Sequence, residues 1–366
     1  MGNYTIMLKP ASGLCNIRCQ YCFYADLMNI RELESYGRMN RETIHQILEN
    51  VFHDLTNKDS LTIIFQGGEP TLAGKKFFRE LLAYVEEIKT STVSYSIQTN
   101  GMVIDDEWCE LFVEHDFLVG LSLDGNDHFH NLYRKDTIGN GTFKKVMAAK
   151  KLFDKYQIRY NILSVLTNQM AKHPVEIFKF IKKHNISYTQ FIPCLGDLED
   201  TEENQYTLTP ENFAYFYQQI YHLWEREIKN GHYYSIKLID DIGNLLSKGT
   251  VGVCGMLGSC SPQIVVEADG TVFPCDFYMT DAYKIGNLRS DSFKTLLQKS
   301  RGTLLQNVAN ARTEKCDTCP YLAICNGGCK RMKDVMFWDA KQHVCGYREV
   351  LSRTAVPLMQ LLREYH

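Results

Sequence analysis

The sequence predicts an α/β fold that is followed by a cysteine-rich C-terminal region. Up to Pro193, short β-rich runs alternate with helical patterns, which is typical of parallel βαβ units. Beyond that point the alternation ends, and eight of the thirteen cysteines lie from Cys254 to Cys345. An open doubly wound sheet and an incomplete β/α barrel both fit the first half. In either fold the ligand site lies at the carboxyl ends of the strands.

The elements of the first half follow one another in a regular order. Six β-rich runs are predicted as strands, namely Tyr4–Lys9, Leu61–Phe65, Val93–Gln98, Leu118–Ser122, Arg159–Leu166 and Tyr188–Pro193. Five helical patterns lie between them, near Arg41–Leu55, Lys75–Ile88, Asp105–His115, Thr142–Tyr156 and Pro174–His184. Thr142 is the expected N-cap of its helix.

The second half begins with a strong helix start. Thr209 is a capping residue, and Pro210 follows it at the first helical position. We expect this helix to end near Lys229 and a second helix to span Lys237–Leu246. The change of pattern predicts two domains, with residues 1–233 in the first and the cysteine-rich residues 234–366 in the second.

Composition and charge are those of a globular protein with a sizeable core. Hydrophobic residues make up 45% of the chain, charged residues 23%, and the net charge is −3. This net charge gives no indication of binding to nucleic acid or to an anionic membrane. No apolar run approaches the roughly 18 residues that span a bilayer, and the first residues lack the apolar core of a signal peptide. We therefore expect a cytoplasmic protein with no nucleic-acid and no membrane partner.

Three cysteines follow the first predicted strand with the spacing Cys15-x3-Cys19-x2-Cys22. Three thiolates cannot fill the four corners of a [4Fe–4S] cluster, so one iron would remain open for a ligand. The alternative is a zinc knuckle with a fourth ligand elsewhere. Cys109 and Cys194 stand apart from the other cysteines and are interpreted as buried thiols.

Polar, glycine-containing segments end three of the predicted strands. They are Gln66-Gly67-Gly68-Glu69-Pro70, Gln98-Thr99-Asn100-Gly101 and Ser122-Leu123-Asp124-Gly125, with Arg134 further downstream. Each alone is an ordinary turn. Together they form a ring of polar strand ends beside the three-cysteine loop, where glycine lets the backbone approach a ligand closely.

Eight cysteines form a second set, which is enough for four ligands to each of two metal clusters. They are Cys254, Cys260, Cys275, Cys316, Cys319, Cys325, Cys329 and Cys345. The alternative is a pair of structural zinc sites, because a CxxC spacing also suits zinc.

The first cysteine motif, with Tyr21 before its last cysteine, resembles the signature of radical S-adenosylmethionine (SAM) enzymes. Gly67-Gly68-Glu69-Pro70 resembles the glycine motif of that superfamily, which holds the methionine amino group of SAM. The resemblance implies a partial (β/α)6 barrel of the radical SAM type and SAM chelated to the open iron. By the same resemblance, the residues that contact SAM are Gly68, Ser122, Arg134 on its carboxylate, and Tyr21 and Leu195 near the adenine.

The second cysteine set resembles the SPASM domain, a C-terminal extension of many peptide-modifying radical SAM enzymes. The resemblance assigns Cys254, Cys260, Cys275 and Cys329 to a first auxiliary cluster. It assigns Cys316, Cys319, Cys325 and Cys345 to a second one. Three [4Fe–4S] clusters are therefore expected in all.

Within this superfamily, the chain is most similar to the anaerobic sulfatase-maturating enzymes. The resemblance extends over most of the chain and includes Lys9-Pro10-Ala11-Ser12, Cys22-Phe23-Tyr24, Ser35-Tyr36-Gly37, Leu118–Ser122 and Pro274-Cys275-Asp276-Phe277-Tyr278. These enzymes oxidise a cysteine or serine of a sulfatase, in a Cys/Ser-x-Pro-x-Arg signature, to Cα-formylglycine. The implied partners are an unfolded or nascent sulfatase and an electron donor such as flavodoxin or ferredoxin.

The resemblance also implies roles around the substrate. Asp276 matches the general base of the family, and Tyr24 and Gln66 match positions that touch the peptide. The acidic segment Gly196–Gln205 departs from the family pattern, so substrate preference is left open there. The alternatives are a SPASM enzyme that builds thioether or carbon–carbon crosslinks in a ribosomal peptide, and a non-catalytic zinc protein.

Overall fold

The computed structural model describes residues 2–199, 204–252, 254–261, 263–302, 312–339 and 343–364. Its contacts group into two compact units. The first consists of Met1–Ser122, Arg134–Tyr160 and Pro262–Asn307, and the second of Leu123–Tyr133, Asn161–Ser261 and Val308–His366. The chain thus alternates between the units, whereas the division at residues 233 and 234 stays a prediction.

The strands occur where the sequence predicts them, and several short ones are added. They are β1 Asn3–Leu8, β2 Ile17–Cys19, β3 Ser60–Phe65, β4 Thr92–Thr99, β5 Leu118–Ser122, β6 Arg134–Asp136, β7 Tyr160–Leu166, β8 Tyr188–Pro193, β9 Ser235–Ile236, β10 Val265–Val266, β11 Thr271–Phe273 and β12 Gly286–Asn287. The six predicted strands correspond to β1, β3, β4, β5, β7 and β8, with ends that agree within one residue.

The predicted helices are also present, together with shorter ones around the cysteines. They are α1 Phe23–Ile30, α2 Arg41–Asp54, α3 Lys75–Ile88, α4 Asp106–Glu114, α5 Asp127–Tyr133, α6 Phe143–Lys155, α7 Pro174–Lys183, α8 Pro210–Lys229, α9 Lys237–Lys248, α10 Phe293–Arg301, α11 Glu314–Asp317, α12 Leu322–Cys325 and α13 Gly346–Glu364. Among the described residues, none of these helices is both long and apolar enough to cross a bilayer.

Of the two predicted capping residues, Thr209 caps its helix and Thr142 does not. The side chains of Asp105 and Thr209 accept hydrogen bonds from backbone N–H groups in the first turns of α4 and α8. Thr142 occupies the N-cap position of α6, but its hydroxyl donates to the carbonyl oxygen of Arg134 at 3.1 Å. This bond connects α6 to β6 and replaces the capping bond that the sequence predicts.

The first unit is built on a mostly parallel sheet in the order β12-β11-β10-β1-β3-β4-β5. Strands β1, β3, β4 and β5 are parallel neighbours, with Leu8 opposite Phe65 and Phe65 opposite Ile97. β10 joins the free side of β1 in parallel, and β11 and β12 continue the sheet antiparallel. A separate antiparallel ribbon pairs β2 with β6.

Large aromatic side chains fill the core of the first unit. Phe65 of β3 lies 4.9 Å from Phe78 of α3, and Phe78 lies 5.2 Å from Trp108 of α4, between ring centroids. Phe112 and Phe117 extend the cluster at 5.3 Å. Burial of such rings is the main favourable contribution to packing helices on a sheet, and it fixes the strands whose ends carry the polar motifs.

The second unit contains β7, β8 and β9 as parallel neighbours, in that order. Its helices include α7, α8, α9 and α13. Phe191 of β8 packs against Phe216 of α8 at 4.9 Å, and Phe213 packs against Tyr217 at 4.9 Å. The long helix α8 is therefore held on its strand by aromatic contacts.

Candidate active site

The three N-terminal cysteines lie in and around a short ribbon of the first unit. Cys15 is in the loop after β1, Cys19 ends β2, and Cys22 is the N-cap of α1. All three are unbonded to other cysteines and partly exposed. Because β2 pairs with β6, Cys19 lies opposite Arg134, and their Sγ and Nη1 atoms are 3.8 Å apart.

Within this motif, the buried thiol of Cys15 has a pKa that favours its protonated form when no metal is bound. Burial, first of all, raises the pKa of Cys15 to about 11, and the negative charges of Glu69 and Cys22 add to the shift. A buried thiol of this kind loses its proton when a metal binds it, because ligands must be deprotonated. The donor set of three cysteine thiols on one short stretch of chain therefore fits an iron–sulfur cluster.

The glycine motif packs directly on the cysteine loop. Gly68 has a φ of +53°, and a Cβ atom at this position would lie 2.4 Å from the carbonyl oxygens of Ser12 and Leu14. The N–H of Glu69 donates to the carbonyl oxygen of Leu14 at 2.8 Å. Only glycine allows this approach without displacing the loop, so the predicted SAM-binding motif and the cysteine loop are held together.

Glu69 is a buried hub of hydrogen bonds behind this motif. Its carboxylate accepts from the hydroxyls of Thr71 at 2.5 Å and Thr99 at 2.8 Å, and from the backbone N–H of Asn100 at 2.7 Å. Burial raises the pKa of Glu69, while these bonds act in the opposite direction. The side chain thus ties the end of β3 to the end of β4.

Three further predicted SAM contacts, Ser122, Arg134 and Tyr21, lie in the first unit. Ser122, at the end of β5, accepts a hydrogen bond from Gln98 of β4 at 2.8 Å. The guanidinium of Arg134 lies 5.5 Å from the ring centroid of Tyr21, within cation–π range. Leu195 is buried in the second unit, and its place near an adenine stays a prediction.

Asp276 lies in a buried polar site that is formed by residues of the first unit. Its Oδ1 is 2.5 Å from Nζ of Lys9, and its Oδ2 accepts from Nε2 of Gln66 at 3.1 Å. Lys9 is fully buried and also lies 3.4 Å from the carbonyl oxygen of Gln66. The structure therefore brings the predicted base and a predicted peptide contact together around a lysine whose role the sequence analysis missed.

A second buried ion pair lies next to the first. Arg31 and Glu267, both with fully buried side chains, are paired at 2.7 Å, and the hydroxyl of Tyr24 donates to the same carboxylate oxygen. The ring of Tyr24 has Nζ of Lys9 4.4 Å from its centroid. Burial and the charge of Glu267 raise the pKa of Tyr24 well above its usual value. Its hydroxyl is thus engaged with Glu267, and its contact with a peptide stays a prediction.

Four cysteines of the second unit line one cavity of about 130 Å³. They are Cys316, Cys319, Cys325 and Cys345, which are the predicted ligands of the second auxiliary cluster. Burial raises the pKa of Cys345 to about 11, and the negative charges of the other three thiolates contribute. Four thiols that line one cavity are a suitable ligand set for an iron–sulfur cluster.

The remaining auxiliary cysteines are divided between the units. Burial raises the pKa of Cys329, and the charges of Cys254 and Cys260 raise it further. All three cysteines belong to the second unit, where Cys254 and Cys329 line one cavity. Cys275 follows β11 in the first unit. Their assignment to one cluster stays a prediction.

Comparisons with known proteins agree with this arrangement. Residues 10–181 match the family described as the Radical SAM superfamily, and residues 254–320 match SPASM, an iron–sulfur cluster-binding domain. The fold and the cysteine sites therefore define a radical SAM enzyme with an iron–sulfur extension, and the predicted fold class and cofactors, SAM and [4Fe–4S] clusters, are confirmed.

The relatives identify the family more narrowly. A cysteine-type anaerobic sulfatase-maturating enzyme from Clostridium novyi is 38% identical over 340 residues, which cover 92% of this chain and 90% of that protein. A serine-type enzyme from Bacteroides thetaiotaomicron is 27% identical over 384 residues, which cover 98% and 91%. The chain belongs to the family of anaerobic sulfatase-maturating enzymes, as its sequence predicts.

Comparison with solved structures supports the same family assignment. Native anSMEcpe with bound AdoMet and Cp18Cys peptide has a TM-score of 0.89 and 34% identity, and the match covers 100% of both chains. Streptococcus suis SuiB has a TM-score of 0.61 at 17% identity, over 89% of this chain and 73% of its own. The second similarity shows a shared fold alone.

Proposed function

We propose that this protein oxidises one cysteine or serine of an unfolded or nascent sulfatase to Cα-formylglycine. The observation that carries the proposal is the Asp276 site, in which a carboxylate next to a predicted cluster ligand is held by Lys9 and Gln66. It lies in the same unit as the three-cysteine motif. Peptide-bound anSMEcpe, which this chain resembles over its whole length, supports the choice of a peptide substrate.

The reaction divides into steps that different parts of the chain serve. SAM held at the first cluster would supply the abstraction of a hydrogen atom from the substrate Cβ, and the auxiliary clusters would supply an acceptor for the remaining electron. The substrate thiol or hydroxyl must also lose a proton, and Asp276 accepts it. Loss of these two hydrogens converts serine to the aldehyde. Cysteine gives a thioaldehyde, which water converts to the aldehyde with release of hydrogen sulfide.

The chain's own residues prepare this proton transfer. Lys9 and Gln66 bind one oxygen each of Asp276, so the carboxylate is held in a single orientation. In the proposal, Gln66 and Tyr24 contact the peptide beside it. Gly68, Ser122, Arg134, Tyr21 and Leu195 hold SAM, with the charged Arg134 suited to the SAM carboxylate.

The cluster ligands follow the assignment made from the sequence. Cys15, Cys19 and Cys22 hold the SAM-binding cluster. Cys254, Cys260, Cys275 and Cys329 hold the first auxiliary cluster, and the four cysteines of the 130 Å³ cavity hold the second. We further propose that flavodoxin or ferredoxin reduces the first cluster and that the reaction takes place in the cytoplasm.

An anaerobic assay tests the proposed function. The reconstituted enzyme is incubated with SAM, a chemical reductant and peptides that carry cysteine or serine in the Cys/Ser-x-Pro-x-Arg signature. We expect formylglycine by mass spectrometry and 5′-deoxyadenosine by chromatography. A peptide with alanine at the target position is the control. SAM cleavage with a crosslinked peptide and no aldehyde would instead favour a thioether-forming or carbon–carbon crosslinking enzyme.

A further inference from the structure

The side chain of Asn100, at the end of β4, reaches the loop that carries the first cysteine. Its Nδ2 lies 3.7 Å from Sγ of Cys15 and 2.8 Å from Oδ1 of Asn16. The distance to sulfur is within the range of an N–H donor to a thiolate. Neither the family motifs nor the proposed SAM contacts give this side chain a role.

The orientation of the Asn100 amide follows from its other partners. Its Oδ1 accepts a hydrogen bond from the backbone N–H of Met102 at 3.0 Å. Since an amide has one accepting oxygen and two N–H donors, the nitrogen must face the loop. One N–H binds Asn16, and the second remains for the sulfur of Cys15.

The backbone of Asn100 is held just as firmly. Its N–H donates to Glu69 at 2.7 Å, and Glu69 also binds the hydroxyl of the preceding Thr99 at 2.8 Å. Asn100 is 6% exposed and Glu69 1%. Because these buried partners fix the position of Asn100, its side-chain amide stays directed at the cysteine loop.

We propose that Asn100 is a positioning residue that donates a hydrogen bond to the Cys15 thiolate and thereby raises the reduction potential of the SAM-binding cluster. Reduction adds negative charge to the cluster and its sulfurs, so a donor stabilises the reduced form more than the oxidised form. Arg134, 3.8 Å from Cys19, is a second donor on the same ligand set. The inference rests on the proposed role of Cys15 as a cluster ligand.

The main test replaces the donor without changing its volume much. In Asn100→Leu, both N–H groups are lost, and we expect the midpoint potential of the SAM-binding cluster to fall. The expected change in the reduction equilibrium is about threefold to tenfold, where tenfold corresponds to about 59 mV for one electron. The potential is measured by EPR-monitored titration of the reconstituted holoenzyme. The relevant signal is the one that changes when SAM is added.

A matched control removes an equivalent amide elsewhere in the same unit. Asn50 of α2 donates from Nδ2 to the carbonyl oxygen of Leu288 at 2.8 Å and is remote from the motifs. Asn50→Leu should keep the wild-type midpoint. An Asn100→Leu enzyme with full iron content and a wild-type midpoint would overturn the proposal.

A second measurement starts from the wild-type enzyme and detects the proposed contact directly. Wild-type enzyme labelled with asparagine that carries ¹⁵N only in its side-chain amide should show a ¹⁵N hyperfine coupling to the reduced SAM-binding cluster in pulsed EPR. Asn100→Asp, which keeps the shape and replaces the donor by an acceptor, should lose this coupling. If the wild type lacks it, or the coupling persists in Asn100→Asp, the proposal is wrong.

These measurements are made without a peptide, so they are independent of sulfatase maturation. Failure of the underlying ligand assignment has its own signature. If Cys15→Ala retained the iron and the SAM-sensitive EPR signal, the proposed ligand would be wrong rather than the role of Asn100.

Discussion

At the scale of single residues, the most informative feature is the buried pair of Lys9 and Asp276. The two charged groups are 267 positions apart in the chain and 2.5 Å apart in space. Burying two charges is costly unless they are paired and further hydrogen-bonded. Here the side chain of Gln66 donates a hydrogen bond to Asp276, and the backbone carbonyl oxygen of Gln66 accepts one from Lys9. Gln66 therefore stabilises both members of the ion pair.

We expect Asp276→Asn to separate radical formation from product formation. The substitution keeps the shape of the side chain but removes the carboxylate that we propose as the acceptor of the substrate proton. SAM cleavage should continue, while formylglycine should fall by about 10²-fold or more. Deoxyadenosine and formylglycine are measured in the same reaction. A parallel loss of both products would mean that Asp276 shapes the site and is not the base.

Lys9→Met should produce a similar uncoupling together with a loss of stability. Removing one partner leaves a buried carboxylate unpaired, which costs about 3–5 kcal/mol. We expect a lower unfolding temperature and a lower ratio of formylglycine to deoxyadenosine. Lys150→Met is the control, because Lys150 is also buried and paired, with Asp154 at 2.9 Å, but lies on α6. An unchanged ratio of formylglycine to deoxyadenosine in Lys9→Met would show that Lys9 has no role in product formation.

At the scale of elements, the six main strands and the helices between them could be predicted because their hydrophobic residues recur with a clear period in the sequence. The ribbon of β2 and β6 could not, since two strands of three residues have no period of their own. Without the ribbon, the proximity of Arg134 to Cys19 was not deducible from the spacing. The same limit applies to Lys9 and Asp276, because no local pattern connects residues so far apart in the chain.

The contact between the glycine motif and the cysteine loop gives a prediction at this scale. Gly68→Ala adds a Cβ atom that would lie 2.4 Å from two carbonyl oxygens of the loop. We expect reduced iron at the first cluster and little SAM cleavage. Gly139→Ala is the control, because Gly139 also has a positive φ of +89° but has no atom within 4 Å of the added Cβ.

Iron content, SAM binding and deoxyadenosine formation measure the effect of Gly68→Ala. If both alanine variants lose iron to the same degree, backbone strain rather than the close approach would be the cause. Wild-type behaviour of Gly68→Ala would show that the loop can move aside.

At the scale of the whole molecule, the cysteines predict the iron content. Eleven cysteines in one set of three and two sets of four correspond to three [4Fe–4S] clusters, or about 12 iron atoms per chain. The spacing in the sequence separates the three N-terminal cysteines from the other eight, but the division of those eight into two sets of four is what the family resemblance implies. Spacing alone would not give it, because Cys329 lies between Cys325 and Cys345 in the chain and is assigned to the set of Cys254, Cys260 and Cys275.

Changing Cys325 to serine should remove one cluster and leave the first reaction step. The cavity of this set would keep three thiols, and about four iron atoms should be lost per chain. We expect deoxyadenosine formation to continue and formylglycine formation to fall. Iron analysis and the two-product assay measure the outcome. Stoichiometric zinc in the anaerobically purified wild type would contradict the assignment altogether.

The pairing of β10 with β1 has a consequence for biosynthesis. β1 has its second neighbour in β10, and Asp276 follows in the same stretch of chain. A nascent chain that ends at residue 233 therefore exposes one side of β1 as an open sheet edge. We expect ribosome-bound chains to become protease-resistant in this region only once β10 to β12 have emerged. Translation beyond residue 287 is thus a condition for completing the sheet of the first unit.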